Sequence, residues 1–164
     1  MRLIITDTNI IIDMIQAGAL EHFVQLNFEI CTTDLVVEEV KQPEQRLMLD
    51  AVINQGLLRV IELESDDIRR AFELKTGCNL KRITDKTVLL KAIDFQCMVL
   101  SGDKDLRKEC LANGLEVHGS IWVMQQIWLA GTVSKEMMEA LISALRRYAR
   151  VPETELDKLL KDLD

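Results

Sequence analysis

Four acids carry the chemical interest of this chain: Asp7 in "RLIITDTNII", Glu39 in "DLVVEEV", Asp85 in "RITDKTVLLKA" and Asp103 in "VLSGDKDL". Asp7 and Asp103 each follow a short apolar run, and Glu39 and Asp85 lie in stretches of helical pattern. Carboxylates brought together repel, so some must take up protons unless a cation lies among them. Oxygen donors select a hard ion, Mg2+ or Mn2+, over zinc. Such an ion activates bound water and neutralises charge on phosphoryl oxygens. If the four acids meet, the chemistry within reach is metal-assisted hydrolysis of a phosphate ester.

Taken singly, each acid has a structural reading. Asp7 and Asp103 precede helices, and Asp is among the best N-caps, worth about 1 kcal/mol. Asp85 falls in a first helical turn, where a negative charge suits the helix dipole. Glu39 alone reads as a solvated helix residue. Asp105 either joins the group or holds the start of its helix.

The elements that must position these acids alternate along the chain. "RLIIT" reads as a first strand, and residues 7–26 as a helix capped by Asp7 or Thr8 and broken near Gly18. "FEICTT" is a second strand, then "LVVEEVKQ" and "EQRLMLDAVINQG" are helical. "LLRVIELE" alternates as a third strand, and "SDDIRRAFELKTG" opens on a Ser65 cap. A helix over "TDKTVLLKAIDFQ" leads to strand four, "CMVLSG". The helix "DKDLRKECLANG" leads to strand five, "LEVHG". "SIWVMQQIWLAG", a helix capped by Ser134, and "ETELDKLLKDLD" after Pro152 complete the chain. Strands separated by helices of this length imply right-handed crossovers and a parallel sheet covered on both faces. The expected fold is α/β, a three-layer α/β/α sandwich with a five-stranded parallel sheet and a C-terminal helical extension. The expected organisation is one domain over residues 1–131, with the extension, 132–164, packed on it. In such a sheet the ligand crevice lies beyond the carboxyl ends of the strands, where strand order reverses. Asp7 and Asp103 stand at two such ends.

Composition narrows the function classes. The 164 residues are 48% hydrophobic and 29% charged, as in an ordinary globular protein. No apolar stretch has the length of a membrane span, and residues 1–12 carry Arg2 and Asp7 without a small-residue cleavage site, so the expected location is cytoplasmic, with no membrane partner. A net charge of −7 argues against a dedicated duplex-binding protein but leaves nucleic acid open as a substrate. Cys31, Cys78, Cys97 and Cys110 are dispersed and read as structural. His22 and His118 stand apart and do not suggest catalysis. Trp122, Met124, Ile127 and Trp128 read as core, although so apolar a helix leaves a homodimer open. Lys81 and Arg82 before Asp85, and Lys104, Arg107 and Lys108 after Asp103, read equally as backbone contacts or as solvated charges. Arg146, Arg147 and Arg150 read as surface charges, and aromatics at 4% give no obvious base-stacking surface.

The motifs together resemble the PIN-domain family, and within it the VapC-type ribonuclease toxins and their PIN-like relatives. "IITDTNIIID" resembles the family's opening strand, acid and Asn. "DLVVEEV" offers its second acid at Glu39, followed by an aliphatic residue, with Glu38 as the alternative. "ITDKTVLLKA" offers the third acid, with Ala92 seven positions on. "VLSGDKDLRK" offers a strand-end hydroxyl, here Ser101 where Thr is commoner, and the fourth acid. The resemblance implies a Mg2+- or Mn2+-dependent endoribonuclease acting through Asp7, Glu39, Asp85 and Asp103. Asp7 and Asp103 would ligate the metal directly, and Asn9 and Ser101 would orient carboxylates or substrate. For the toxin branch it also implies a small antitoxin partner. Two rivals stand beside it. One is a non-catalytic RNA- or protein-binding module. The other is an aspartate-nucleophile phosphatase, which needs an acid where this chain has Asn9.

Overall fold

The computed structural model describes residues 1–77 and 80–164, and Cys78 therefore lies outside the described residues. Five parallel strands form the sheet: β1 (Arg2–Thr6), β2 (Phe28–Thr33), β3 (Arg59–Ile61), β4 (Met98–Leu100) and β5 (Val117–His118). Their spatial order is β3-β2-β1-β4-β5. The chain steps outward from β1 to β2 and β3, then crosses back to place β4 on the other side of β1. Strand order therefore reverses between β1 and β4, which pair Ile5 with Val99 and Thr6 with Leu100. The inner strands are apolar on both faces because both are covered: Ile4, Ile5, Ile30, Val99 and Leu100 are all buried.

One layer contains α1 (Thr8–Ala17), α2 (Leu20–Val24), α3 (Asp34–Glu39), α4 (Pro43–Asn54) and α8 (Ser120–Leu129). The other contains α5 (Ser65–Glu73), α6 (Ile83–Phe95) and α7 (Lys104–Ala112). Helix α6 lies across β1, β2 and β4, and α7 against β5. The last two helices, α9 (Lys135–Tyr148) and α10 (Glu153–Asp162), return to the first layer, with α9 packed along α1 and α10 against α8 and α9. Arg146 ties them, pairing with Glu153 at 3.2 Å and Asp157 at 2.8 Å.

Local differences from the sequence expectation have local causes. The helical stretch over residues 7–26 breaks near Gly18 as expected, because Gly18 takes a left-handed backbone (φ 74°) and its N–H caps Ile15. The third strand is shorter than "LLRVIELE": it is an edge strand, and β2 supplies register partners only from Cys31 to Thr33. Helix α5 is capped at Glu64 rather than Ser65, where the Asp67 carboxylate accepts from the Glu64 N–H at 3.0 Å. Ser134 caps α9 as expected, accepting from the Met137 N–H. Cys31, Cys97 and Cys110 are buried free thiols, and burial pushes them up to about 12, 11 and 12. Met124 and Ile127 are core, and Trp122 packs on Phe28 and stacks on His118 at the edge of it.

Candidate functional site

Asp7 is both a cap and a buried charge. Its N–H donates to the Leu100 carbonyl at 3.0 Å, which extends the β1–β4 ladder by one step and fixes the carboxylate at the switch point. One carboxylate oxygen accepts from the Ile10 N–H at 3.2 Å, capping α1, and the other accepts from the Ser101 hydroxyl. Only 3% of Asp7 is exposed. Burial, aided by the nearby charges of Asp85 and Asp103, pushes its carboxyl up to about 7, against the pull of the Ser101 and Ile10 hydrogen bonds. Structural and chemical readings of Asp7 are thus the same geometry seen twice.

Ser101 joins the two strand-end acids. Its hydroxyl donates to Asp7 and accepts from the Asp103 N–H at 3.0 Å. Asp103 caps α7 by accepting from the Leu106 N–H at 2.8 Å. The positive ends of α1 and α7 therefore both face this point. Arg107 does not point its charge to open solvent there: it donates to the Ser101 carbonyl at 2.8 Å and braces the loop. Asp85, in the first turn of α6, is raised by burial, with the Asp103 charge adding to this and the Arg82 charge opposing it. Asp7, Asp85 and Asp103 therefore feel one another's charge.

Glu39 reaches the same neighbourhood through Arg82. The guanidinium that acts on Asp85 is bonded to one Glu39 oxygen. The other Glu39 oxygen is buried with no hydrogen-bond partner among the described residues. Glu38 is exposed, so the alternative acid of "VVEEV" faces away from this half-buried position. Asn9 is exposed at the second position of α1. The expectation sets all four carboxylates round one ion; Asp7, Asp85 and Asp103 lie within electrostatic reach of one another, and Glu39 is held by Arg82. Among the described residues, no group of three or more His, Cys, Asp or Glu side chains is gathered to hold a metal. The ion pair of Arg82 is the feature that sequence reasoning missed, since a cation three residues before Asp85 reads equally as a backbone contact or as a solvated charge.

The donor chemistry nevertheless fits a hard divalent cation. Carboxylate and hydroxyl oxygens gather at the strand ends, and one buried Glu39 oxygen lacks a partner. Cys110 lies within reach of the Asp7 charge, but burial first and that charge second keep it a protonated thiol.

A family profile for the PIN domain (DUF3368) matches residues 3–164. The chain belongs to the PIN-domain family. An archaeal relative, "Endoribonuclease Nob1" of Pyrococcus abyssi (strain GE5 / Orsay), is 32% identical over 99 residues, 57% of this chain. That match spans 61% of the relative's length. Among solved structures, VapBC2 from Rickettsia felis, bound to a DNA fragment from its promoter, superposes with a TM-score of 0.50. It is 20% identical and covers 71% of this PIN-domain chain and 98% of that chain, a likeness of fold. A PilT N-terminus domain protein of Sulfolobus solfataricus P2 gives a TM-score of 0.45 at 10% identity, over 92% of this chain and 99% of that one. Among the described residues no helix is long and apolar enough to cross a membrane.

Proposed function

We propose that this PIN-domain chain is a Mg2+- or Mn2+-dependent endoribonuclease. The observation that carries the reading is the buried Asp7 carboxylate at the β1–β4 switch point, pushed up to about 7 by burial and by the nearby charges of Asp85 and Asp103. Membership of the family and the similarity to an endoribonuclease support RNA as the substrate. Asp7 and Asp103 would hold the ion directly, and Glu39 and Asp85 would act through water or complete a second site. When bound, the ion neutralises charge on the scissile phosphate and acidifies water. Ser101 keeps the Asp7 carboxylate turned toward Asp103 through its two hydrogen bonds. Asn9, exposed at the start of α1, orients the phosphate.

The test is RNA cleavage with added Mg2+ or Mn2+ by the wild type and by Asp7→Asn. Equal rates overturn the assignment. Cleavage of a phosphomonoester instead of RNA would favour the phosphatase chemistry that Asn9 argues against. The Arg82–Glu39 ion pair favours one further reading, a domain that binds RNA or protein without cutting. Retained RNA binding with no product at any metal concentration would establish it. The toxin form of the proposal adds a small antitoxin over the crevice. Suppression of cleavage by a small protein encoded beside this chain is its test.

A further inference from the structure

A cleft of about 550 Å³ shares a loop with the acid crevice. Gly102 and Arg107, on either side of Asp103, line it. The start of α8 lines it too, as do Asp13 of α1 and the turn between α9 and α10 at residues 150–152. Its volume suits a nucleotide-sized ligand.

The lining chemistry is mixed in a particular way. Asp13 is positioned by the Ser120 hydroxyl, which donates to one carboxylate oxygen at 2.7 Å. A carboxylate accepts about four hydrogen bonds, so capacity remains for a ligand's N–H donors. His118 and Trp122 are stacked, 4.6 Å between centroids and 8° apart in plane, and together give the cleft an aromatic side. Arg107 is committed to the Ser101 carbonyl, whereas Arg150 is exposed on the α9–α10 turn. An acceptor pair, an aromatic surface and an accessible cation are the three groups that a base, a ring face and a phosphate require.

We propose that this cleft is a ribonucleotide subsite, which holds one nucleotide of the RNA strand beside the scissile bond. Asp13 accepts from the base edge and Arg150 contacts the phosphate. Among the bases, guanine offers two adjacent N–H donors to one carboxylate, and uracil offers a single one. The subsite therefore prefers guanine. The inference rests on the ribonuclease reading for its place in the reaction, but binding itself does not need cleavage. It also gives the C-terminal extension a role in selecting substrate, since Arg150 belongs to it.

The experiment titrates the protein, without divalent metal, with each of the four ribonucleoside 5′-monophosphates, followed by NMR at the Trp122 indole. The expected result is guanosine monophosphate bound about tenfold more tightly than uridine monophosphate, the discrimination of one bidentate pair. Asp13→Asn removes that preference, and Arg150→Ala weakens all four by a similar factor. Arg59→Ala, at the other end of the sheet, changes neither. Arg150 is exposed, so its variant keeps the test valid if Asp13→Asn fails to fold. Mapped cuts in mixed-sequence RNA should show the same guanine preference next to the cut. Absence of nucleotide binding, or affinities unmoved by either variant, overturns the subsite. Binding of a peptide partner at the cleft, with no nucleotide binding, overturns it equally. Nucleotide binding without RNA cleavage under any metal overturns the nuclease reading and leaves the subsite standing.

Discussion

At the carboxyl end of the sheet, β1 and β4 deliver Asp7 and Asp103 to the N-termini of α1 and α7, and Asp85 faces them from α6. At the amino end a larger cleft, about 790 Å³, is lined by Val24, Leu26, Phe28, Ile53 and Leu57, with Arg59 paired to Glu29 at 2.9 Å. The larger cleft carries the lesser chemistry. Helices that follow parallel strands begin at the carboxyl end, so their unsatisfied N–H groups and positive dipole ends gather there and stabilise anions. At the amino end the same helices present carbonyls, and what remains is apolar packing. Direction of the backbone, rather than cavity size, decides where acids can be concentrated.

The comparison breaks most sharply at Asp7. Asp7→Asn should lower RNA cleavage by at least the roughly 100-fold that loss of an outer ligand contact costs, measured as initial rates at saturating Mg2+. The same variant should change stability in the opposite sense. The Asp7 carboxyl titrates near 7 when folded and near 3.8 when unfolded. Between those values the folded state holds the extra proton, so stability is full below about pH 4 and is lost as pH rises to 7. The loss is about 4 kcal/mol. Urea unfolding of the metal-free protein should show that decline, and Asp7→Asn should flatten it. The amino end should answer differently. Leu58→Ala, at a fully buried position lining the larger cleft, should cost about 2–5 kcal/mol of stability. Its cleavage rate per folded molecule should stay at the wild-type value.

Smaller effects sharpen the contrast. Ser101→Ala removes the hydroxyl that joins Asp7 to Asp103, and should reduce cleavage about 10-fold while the fold survives, as circular dichroism would show. Arg59→Ala breaks an exposed ion pair and should shift stability by less than about 1 kcal/mol, with cleavage unaltered. An Arg59 effect on cleavage as large as that of Ser101 would erase the distinction between the two ends.

Much of this frame was legible in the chain. Hydrophobic runs of strand length and helices closed by Gly18 and opened by Asp7 or Ser134 rest on near neighbours, and each is found as read. The edge strand was over-read because alternation marks residues able to pair, while pairing length depends on what β2 presents. Ser65 lost its cap to Glu64 through the Asp67 carboxylate, a competition between two local solutions of similar cost. Arg82 is the clearest miss: its partner Glu39 lies 43 residues away, beyond any periodicity.

By itself the sequence determined the order of strands and helices and that acids stand at the ends of β1 and β4, because these follow from side-chain period and capping over a few residues. Only the tertiary structure decided that β1 and β4 are neighbours, that Ser101 bonds an acid 94 residues away, and that Glu39 is held by Arg82. Those outcomes depend on strand order and burial, which no local spacing encodes and which set the charge of a carboxylate through its distance from water and from other charges.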